Sequence, residues 1–390
     1  MEKQELRRLY YKLIYLISCA LSATVPEREL LPDGELEVIY KLAKSHSVTT
    51  LATAALKSAG LATEKAIEQS NMAIRKIMLL DAERAAILTE LESAGIKYMP
   101  LKGVVMKELY PAIGLRQMAD NDILFDGEYR QTVRDIMVSR GYDITAYGKS
   151  NHDVYMKSPV YNYEMHVSLF NSYLSSNFDN YFTDAFDRAV KLPGTSFGYA
   201  MTDEYYYLYV KAHEYKHFSG GGTGIRSLAD TYVYLKSKGN AINGKYIQAE
   251  LEKLGILDYA QKTADLAMKL FDPDLARQNV ISPTLTEEEI EFLDNFIFYG
   301  TYGTYSKRID NTFSRIEKEE GKRVSKLNYL FRVIFPPIEC YKEVYPFFYK
   351  HRIFIPFLVV KRVCAMIFVR PKASLRKLRA VFTYSRNNKK

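Results

Sequence analysis

Residues 101–126 read LKGVVMKELYPAIGLRQMADNDILFD, in which Asp120, Asn121 and Asp122 stand at the entrance of an apolar run, Ile123 to Phe125. If that run is a strand, its two carboxylates, two positions apart, project from one face. At that spacing each disfavours ionisation of the other unless a cation lies close. A hard divalent ion such as Mg2+ suits the pair, because it takes carboxylate oxygens and keeps positions for phosphate and water. Asp120 and Asp122 are therefore candidate metal ligands.

The surroundings extend the pattern. IKYMPL (96–101) reads as a strand, and GVVMKELYP (103–111) as a helix opening directly on a Lys102-Gly103 turn. Gly103 lets the backbone approach a ligand, and the first turn of a helix offers N–H groups to an anion. Lys102 adds a point charge there, and Arg116 is suited to a bidentate phosphate contact. After the helix GEYRQTVRDIMVSRGY (127–142) come two more strands, DVYMKS (153–158) and YNYEMHVSLF (161–170), with PVYN (159–162) as the expected turn. Glu164 and His166 share one face of the last strand. If it neighbours the Asp120-Asp122 strand, three carboxylates converge, as two-metal phosphoryl or nucleotidyl transfer requires. Taken singly, a D-x-D, a Lys-Gly turn or a lone arginine is an ordinary surface feature. Their order and spacing together point to a metal–nucleotide site.

At this point the chain resembles the nucleotidyltransferase-fold superfamily that includes DNA polymerase beta, and within it the bacterial uncharacterised nucleotidyltransferase family. GIKYMPLKG (95–103), ELYPAIGLRQMADNDILF (108–125) and YEMHVSL (163–169) carry the resemblance. LAKSHSVTTLATAAL (42–56), KHFSGGGTGIRSLADTYVYL (216–235) and FRVIFPP (331–337) extend it over most of the chain. The resemblance implies a bacterial enzyme that binds ATP or another NTP and two Mg2+ ions, with Mn2+ as an alternative. Asp120, Asp122 and Glu164 would be the catalytic and metal-binding residues, and Lys102, Gly103 and Arg116 would bind nucleotide. Lys102-Gly103 takes the place of the superfamily's Gly-Ser turn. Asn121 stands where an apolar residue is usual, a departure expected to weaken burial of the strand.

A competing motif is HEYKH (213–217), a literal H-E-x-x-H. On a helix, His213 and His217 would share a face and could bind zinc with Glu214 as base. One zinc-protease class needs a third histidine where Thr223 stands. The other needs a downstream glutamate, and none occurs between Glu214 and Glu250. The expectation is that His166, His217 and Arg226 support or rim the nucleotide site, with Gly220–Gly222 in the same loop, and that Asp230 pairs with Arg226 or is a plain helix residue.

Composition sets the wider frame. The 390 residues carry a net charge of +8, unevenly spread. Residues 301–390 hold 21 Lys+Arg against 6 Asp+Glu, whereas the first 300 are mildly acidic, 33 against 40. From Pro346 to Lys390 there are 12 basic and no acidic residues among Phe, Ile, Val and Tyr. Such a segment suits an anionic membrane surface. Nucleic acid is the weaker candidate, since the tail shows no recognised binding motif. Cys19, Cys340 and Cys364 are scattered and odd in number, which favours a reducing compartment over a disulfide framework. Arg7 and Arg8 before an apolar stretch imitate a leader, but Lys12 interrupts the stretch and Leu6, Leu9, Leu13, Leu16, Ile17 and Ala20 recur at amphipathic helical spacing. Lys361 and Arg362 within 353–369 argue against a membrane span.

The expected fold is α+β: a small nucleotidyltransferase-type mixed sheet flanked by helical regions. The expected divisions are a helical region at 1–95, the α+β core at 96–202, a helical domain at 203–300, and a basic aromatic helical region at 301–390. Asp33 is the expected N-cap of one early helix, and a long helix over about 63–94 should end at Gly95. The expected setting is cytoplasmic, with peripheral contact with membrane through 346–390. The rival expectation is a nucleotide-binding or membrane-surface scaffold without turnover.

Overall fold

The computed structural model describes residues 2–171, 176–298, 309, 312–313, 316–317, 321, 323–335, 338, 341, 345–369 and 371–383. Two compact units are present: Met1–Tyr215 with Thr223–Thr301, and Lys216–Gly222 with Tyr302–Lys390.

The first unit opens with four helices: α1 Lys3–Ser22, α2 Asp33–Ser45, α3 Thr49–Ser58 and α4 Glu64–Ser93. The expected first helix is present, and from Leu9 to Cys19 every residue of α1 is buried, so it is an interior helix there. Lys12, the charge that interrupts its apolar run, is neutralised by Glu35 Oε2 of α2 at 2.6 Å. Pro32 occupies the cap position of α2 without a side-chain cap, so Asp33 is the first helical residue and not the cap. Thr63 does cap α4, accepting from the Ala66 N–H at 3.2 Å. Gly95, with φ of 71°, follows its end, a left-handed position that glycine takes without steric penalty.

Five strands follow: β1 Tyr98–Pro100, β2 Asn121–Phe125, β3 Asp143–Ala146, β4 His152–Lys157 and β5 Tyr161–His166. The short helix α5 Gly103–Met106 lies between β1 and β2, and α6 Arg130–Ser139 between β2 and β3. The sheet order is β1-β2-β5-β4-β3. Only β2 and β5 run parallel, and the other neighbours are antiparallel. The unit is thus α+β, with a mixed sheet flanked by helices. The β4–β5 turn is Ser158 to Val160, and Tyr161 and Asn162, expected in the turn, belong to β5.

Alternation assigns the two sheet faces. Ile123, Phe125, Tyr155, Tyr163 and Met165 pack with Ile77, Leu80, Ile87 and Leu91 of α4 and with Val133 and Met137 of α6. Asn121 belongs to this same face and is fully buried. It does not weaken burial of the strand: its Oδ1 accepts from Arg84 Nη1 at 2.9 Å, while its Nδ2 has no partner among the described residues. The opposite face carries the polar side chains.

The rest of the unit is helical: α7 Ser176–Tyr181, the ribbon β6 Val190–Lys191 and β7 Tyr199–Ala200, α8 Asp203–Gly220, α9 Ile225–Lys238, α10 Gly244–Lys253, α11 Leu257–Phe271, α12 Pro273–Ile281 and α13 Glu287–Ile297. The last few residues of α8 belong to the second unit. α1 packs on α2, α3, α11 and α12, so the first helix is held by the last ones. His46, fully buried, links these parts. The Ile225 N–H donates to its Nδ1 at 3.2 Å, so the ring proton resides on Nε2, which donates to the Tyr10 hydroxyl oxygen at 3.0 Å. Burial pushes the His46 pKa down to about 4.

In the second unit the helices Lys326–Ile334, Pro346–Lys350, Ile355–Cys364 and Pro371–Thr383 are described. Ile309, Phe313, Ile316, Val324, Tyr329 and Val381 form a small core. Much apolar surface stays outside it: Phe357 is 70% exposed and Phe368 77%. No helix among the described residues is long and apolar enough to cross a membrane. Cys19 is buried and Cys364 exposed, both as free thiols. Cys340, Pro336, Pro337 and residues 384–390 of the basic tail lie outside the described residues.

Candidate active site

The polar face of the sheet gathers the expected carboxylates. Asp122 and Glu164 are register partners on the parallel neighbours β2 and β5, so their side chains stand abreast. Asp120 lies one residue before β2, on the same approach. Burial, reinforced by the like charges of Asp122 and Glu164, pushes the Asp120 pKa up to about 6 against the opposing pull of Lys102 and Arg226. The three acids therefore share one electrostatic site.

Lys102 is its resident cation. Its Nζ donates to Asp122 Oδ1 at 2.7 Å, and His166 Nε2 donates to the same oxygen at 2.8 Å. Burial alone would raise the Asp122 pKa, but Lys102 and His166 hold it well below the usual carboxylate range. Burial also works against the Lys102 charge, yet Asp122 keeps the ammonium above its ordinary value. Lys102 holds this place on a backbone with φ of 43° and ψ of −117°, a left-handed geometry uncommon for a non-glycine residue. Its carbonyl accepts from Tyr206 of α8 at 2.7 Å, which secures the turn from above.

Gly103 and Arg116 act together, though not as an open phosphate cradle. A Cβ on Gly103 would lie 2.5 Å from Arg116 Nη1, so the turn needs glycine to admit the guanidinium. Arg116 donates through Nε and Nη2 to Asp230 at 2.7 and 2.8 Å, and Tyr110 donates to the same carboxylate at 2.8 Å. Asp230 of α9 is therefore a partner of Arg116, a pairing the sequence reading did not offer. The expected first-turn donors of α5 are also engaged. The Val104 N–H donates to the Leu101 carbonyl at 3.2 Å and the Val105 N–H to that of Lys102 at 3.1 Å. The charged side chain that this turn directs to the carboxylates is Lys102.

Of the residues expected at the rim, His166 belongs to the centre itself. Arg226 lies near Asp120 and donates to the Gln117 carbonyl at 3.4 Å. His217 belongs to the second unit.

Two residues escaped the sequence reading. His152 opposes His166 across the β4–β5 pair, with ring centroids 4.9 Å apart. Burial, then the neighbouring His166, pushes its pKa down. The hairpin register carries the missing signal: with Lys157 opposite Tyr161, counting back five residues on one strand and forward five on the other reaches His152 and His166. Tyr209 of α8 is fully buried and close enough to feel the charges of Lys102, Asp122 and Glu164. Its hydroxyl, like His166 Nδ1, has no hydrogen-bond partner among the described residues.

The H-E-x-x-H motif has a different role. Glu214 is buried and accepts from Lys211 Nζ at 2.9 Å and from the Tyr259 hydroxyl at 2.8 Å. Lys211 completes its donors on Thr231 and Thr263, at 2.6 and 3.0 Å. Glu214 thus completes a buried ion pair and is not poised as a base. Among the described residues, the cluster with metal-ligand spacing is His152, Glu164 and His166; neither His213 and His217 nor the expected ligands Asp120 and Asp122 belong to it.

The family model described as Uncharacterised nucleotidyltransferase matches residues 32–272, more than half of the chain, from α2 through α11. No curated protein and no solved structure gives a match.

Proposed function

The chain belongs to this nucleotidyltransferase family, and from that premise we propose that it moves a nucleoside monophosphate from an NTP to a hydroxyl-bearing acceptor, releasing pyrophosphate. The observation that carries the proposal is the Asp122–Glu164 pairing on adjacent parallel strands, with Asp120 pushed up by burial and by both charges.

These oxygens fit Mg2+, or Mn2+ in its place: the donor set is hard, and added positive charge would offset the burial and like charges that raise Asp120. Asp120, Asp122 and Glu164 would hold the two ions, which when bound neutralise the triphosphate and lower the pKa of the attacking hydroxyl. Lys102, now paired with Asp122, would serve the phosphate oxygens when Asp122 holds metal. Glu164, as a metal ligand or as a base, would also help deprotonate the acceptor hydroxyl. Arg116 acts from behind, holding the Gly103 turn through Asp230.

Incubation with mixed NTPs and Mg2+ tests this, reading pyrophosphate release and a nucleoside-monophosphate mass increment across acceptors. Turnover should vanish in Asp122→Asn. NTP binding without pyrophosphate release across the acceptor panel would instead support the scaffold alternative.

We infer further that the second unit meets an anionic membrane surface. Its charge supports this, with 12 basic and no acidic residues from 346 to 390, and so do Ile353, Phe357, Phe368 and Val369 standing exposed among those cations.

A further inference from the structure

We propose that His152, His166 and Glu164 form a separate subsite for a borderline divalent cation of the Zn2+ class, beside the all-oxygen set of Asp120 and Asp122. Glu164 Oε2 lies 3.8 Å from His152 Nε2 and 3.7 Å from His166 Nε2. The donor atoms of the three residues all fall within 4.8 Å of one another. Tetrahedral ligands at Zn2+ bond lengths stand about 3.4 Å apart, so closing these two distances asks for movements of only a few tenths of an ångström.

The backbone builds this arrangement. His152 and His166 are cross-strand partners on β4 and β5, and Glu164 is two residues along on the same face. Asp122 Oδ1, 2.8 Å from His166 Nε2, stands next in line as a further oxygen ligand. His166 is 3% exposed, and its Nδ1 meets no acceptor among the described residues. A cation held through Nε2 would take the place of the ring proton now shared with Asp122 Oδ1; a neutral ring would then carry its proton on Nδ1, which has no partner among the described residues. Imidazole nitrogens favour Zn2+ and its neighbours over Mg2+, which demands oxygen. Glu164 is then shared between a hard site and a nitrogen-bearing one, and the two would differ in the metal they select. The subsite deepens the proposed function by taking Glu164 as a metal-facing carboxylate, yet it does not require that nucleotide be transferred.

The test is equilibrium dialysis of the full chain, stripped with chelator, against Zn2+ alone and against Zn2+ with excess Mg2+, followed by metal analysis. One equivalent should bind and persist against Mg2+. His152→Ala, and His152→Gln as a bulkier control, should weaken it by about ten-fold or more, with unchanged circular dichroism and melting. His217→Ala should leave it unaltered. A Co2+-loaded sample should show an absorption spectrum that changes in His152→Ala. Zinc binding unaffected by His152→Ala, displaced by Mg2+, or lost in His217→Ala would overturn the subsite. Pyrophosphate release that persists with Mg2+ while zinc binding fails would overturn this inference alone. Zinc binding without any nucleotidyl transfer would support the subsite and refute the proposed reaction.

Discussion

Replacing Asp120 by asparagine should stabilise the protein while disabling it. Burial and the charges of Asp122 and Glu164 raise the Asp120 pKa from 3.8 to about 6 on folding. A group whose folded pKa lies above its unfolded value favours the folded state only where it is protonated. Below about pH 3.8 both states are protonated and nothing is lost. As pH rises through 6 the folded state must carry a charge it disfavours, a penalty of about 3 kcal/mol at pH 7.5 and about 1 kcal/mol at pH 4.5. An asparagine side chain keeps the shape without the charge. The metal-free Asp120→Asn variant should therefore melt roughly 5 °C higher than the parent at pH 7.5, with a much smaller gain at pH 4.5. Scanning calorimetry in chelator at the two pH values measures this directly. Mg2+ should raise the melting temperature of the parent and leave that of the variant unmoved. Asp122→Asn should behave oppositely, since Lys102 and His166 lose the negative charge they share, although the amide oxygen can still accept. A variant at position 120 that was less stable than the parent at pH 7.5, or whose gain did not depend on pH, would refute the electrostatic account of the site.

Further outcomes follow from other parts of the fold. Gly103→Ala should gain at most about 1 kcal/mol of helix propensity. It must also displace Arg116 from Asp230, a buried pair whose disruption costs about 3–5 kcal/mol. The net loss, read as a lower urea midpoint, should shrink when Asp230→Ala has already released the arginine. His46 is held neutral with a pKa of about 4 instead of 6.5, so its contribution is present above 6.5 and disappears as pH falls through 4. Denaturant titration should show a loss of about 2 kcal/mol from this ring between pH 7 and pH 5, absent from His46→Gln. In liposome sedimentation at low salt, the full chain should pellet with anionic but not neutral vesicles, and a folded variant truncated after Tyr345 should not. Partial release by salt should leave an apolar remainder.

The strand, the order of its groups and the convergence of Asp122 with Glu164 were legible because each follows from local alternation plus one assumption, that β2 and β5 are neighbours. The partners of the cations were not. Arg116 and Asp230 lie 114 residues apart, and nothing near either one announces the other. The expectation that Arg116 clasps phosphate came from its position in the motif, whereas its geometry is set by α9. His152 was passed over because the turn was placed late at PVYN, and a shift of register moves every cross-strand partner. Asn121 resembled a defect because its neighbour, Arg84, belongs to a helix folded over the far side of the sheet. Lys12 counted correctly against a simple apolar stretch, but its burial depends on Glu35 and could not be inferred from spacing within α1.

The Lys211–Glu214 pair restricts how this sequence can change over generations. Either residue replaced alone strands a buried charge among Thr231, Thr263 and Tyr259, a loss of about 3–5 kcal/mol that a marginally stable chain does not survive. Both replaced together by apolar residues of similar volume leave little penalty, as buried ion pairs elsewhere show. The route between those two viable sequences runs through inviable single steps, so a lineage that acquired the pair is held to it. In such a lineage the letters H-E-x-x-H persist as a by-product of helix packing, with histidines flanking a glutamate that is retained for its lysine.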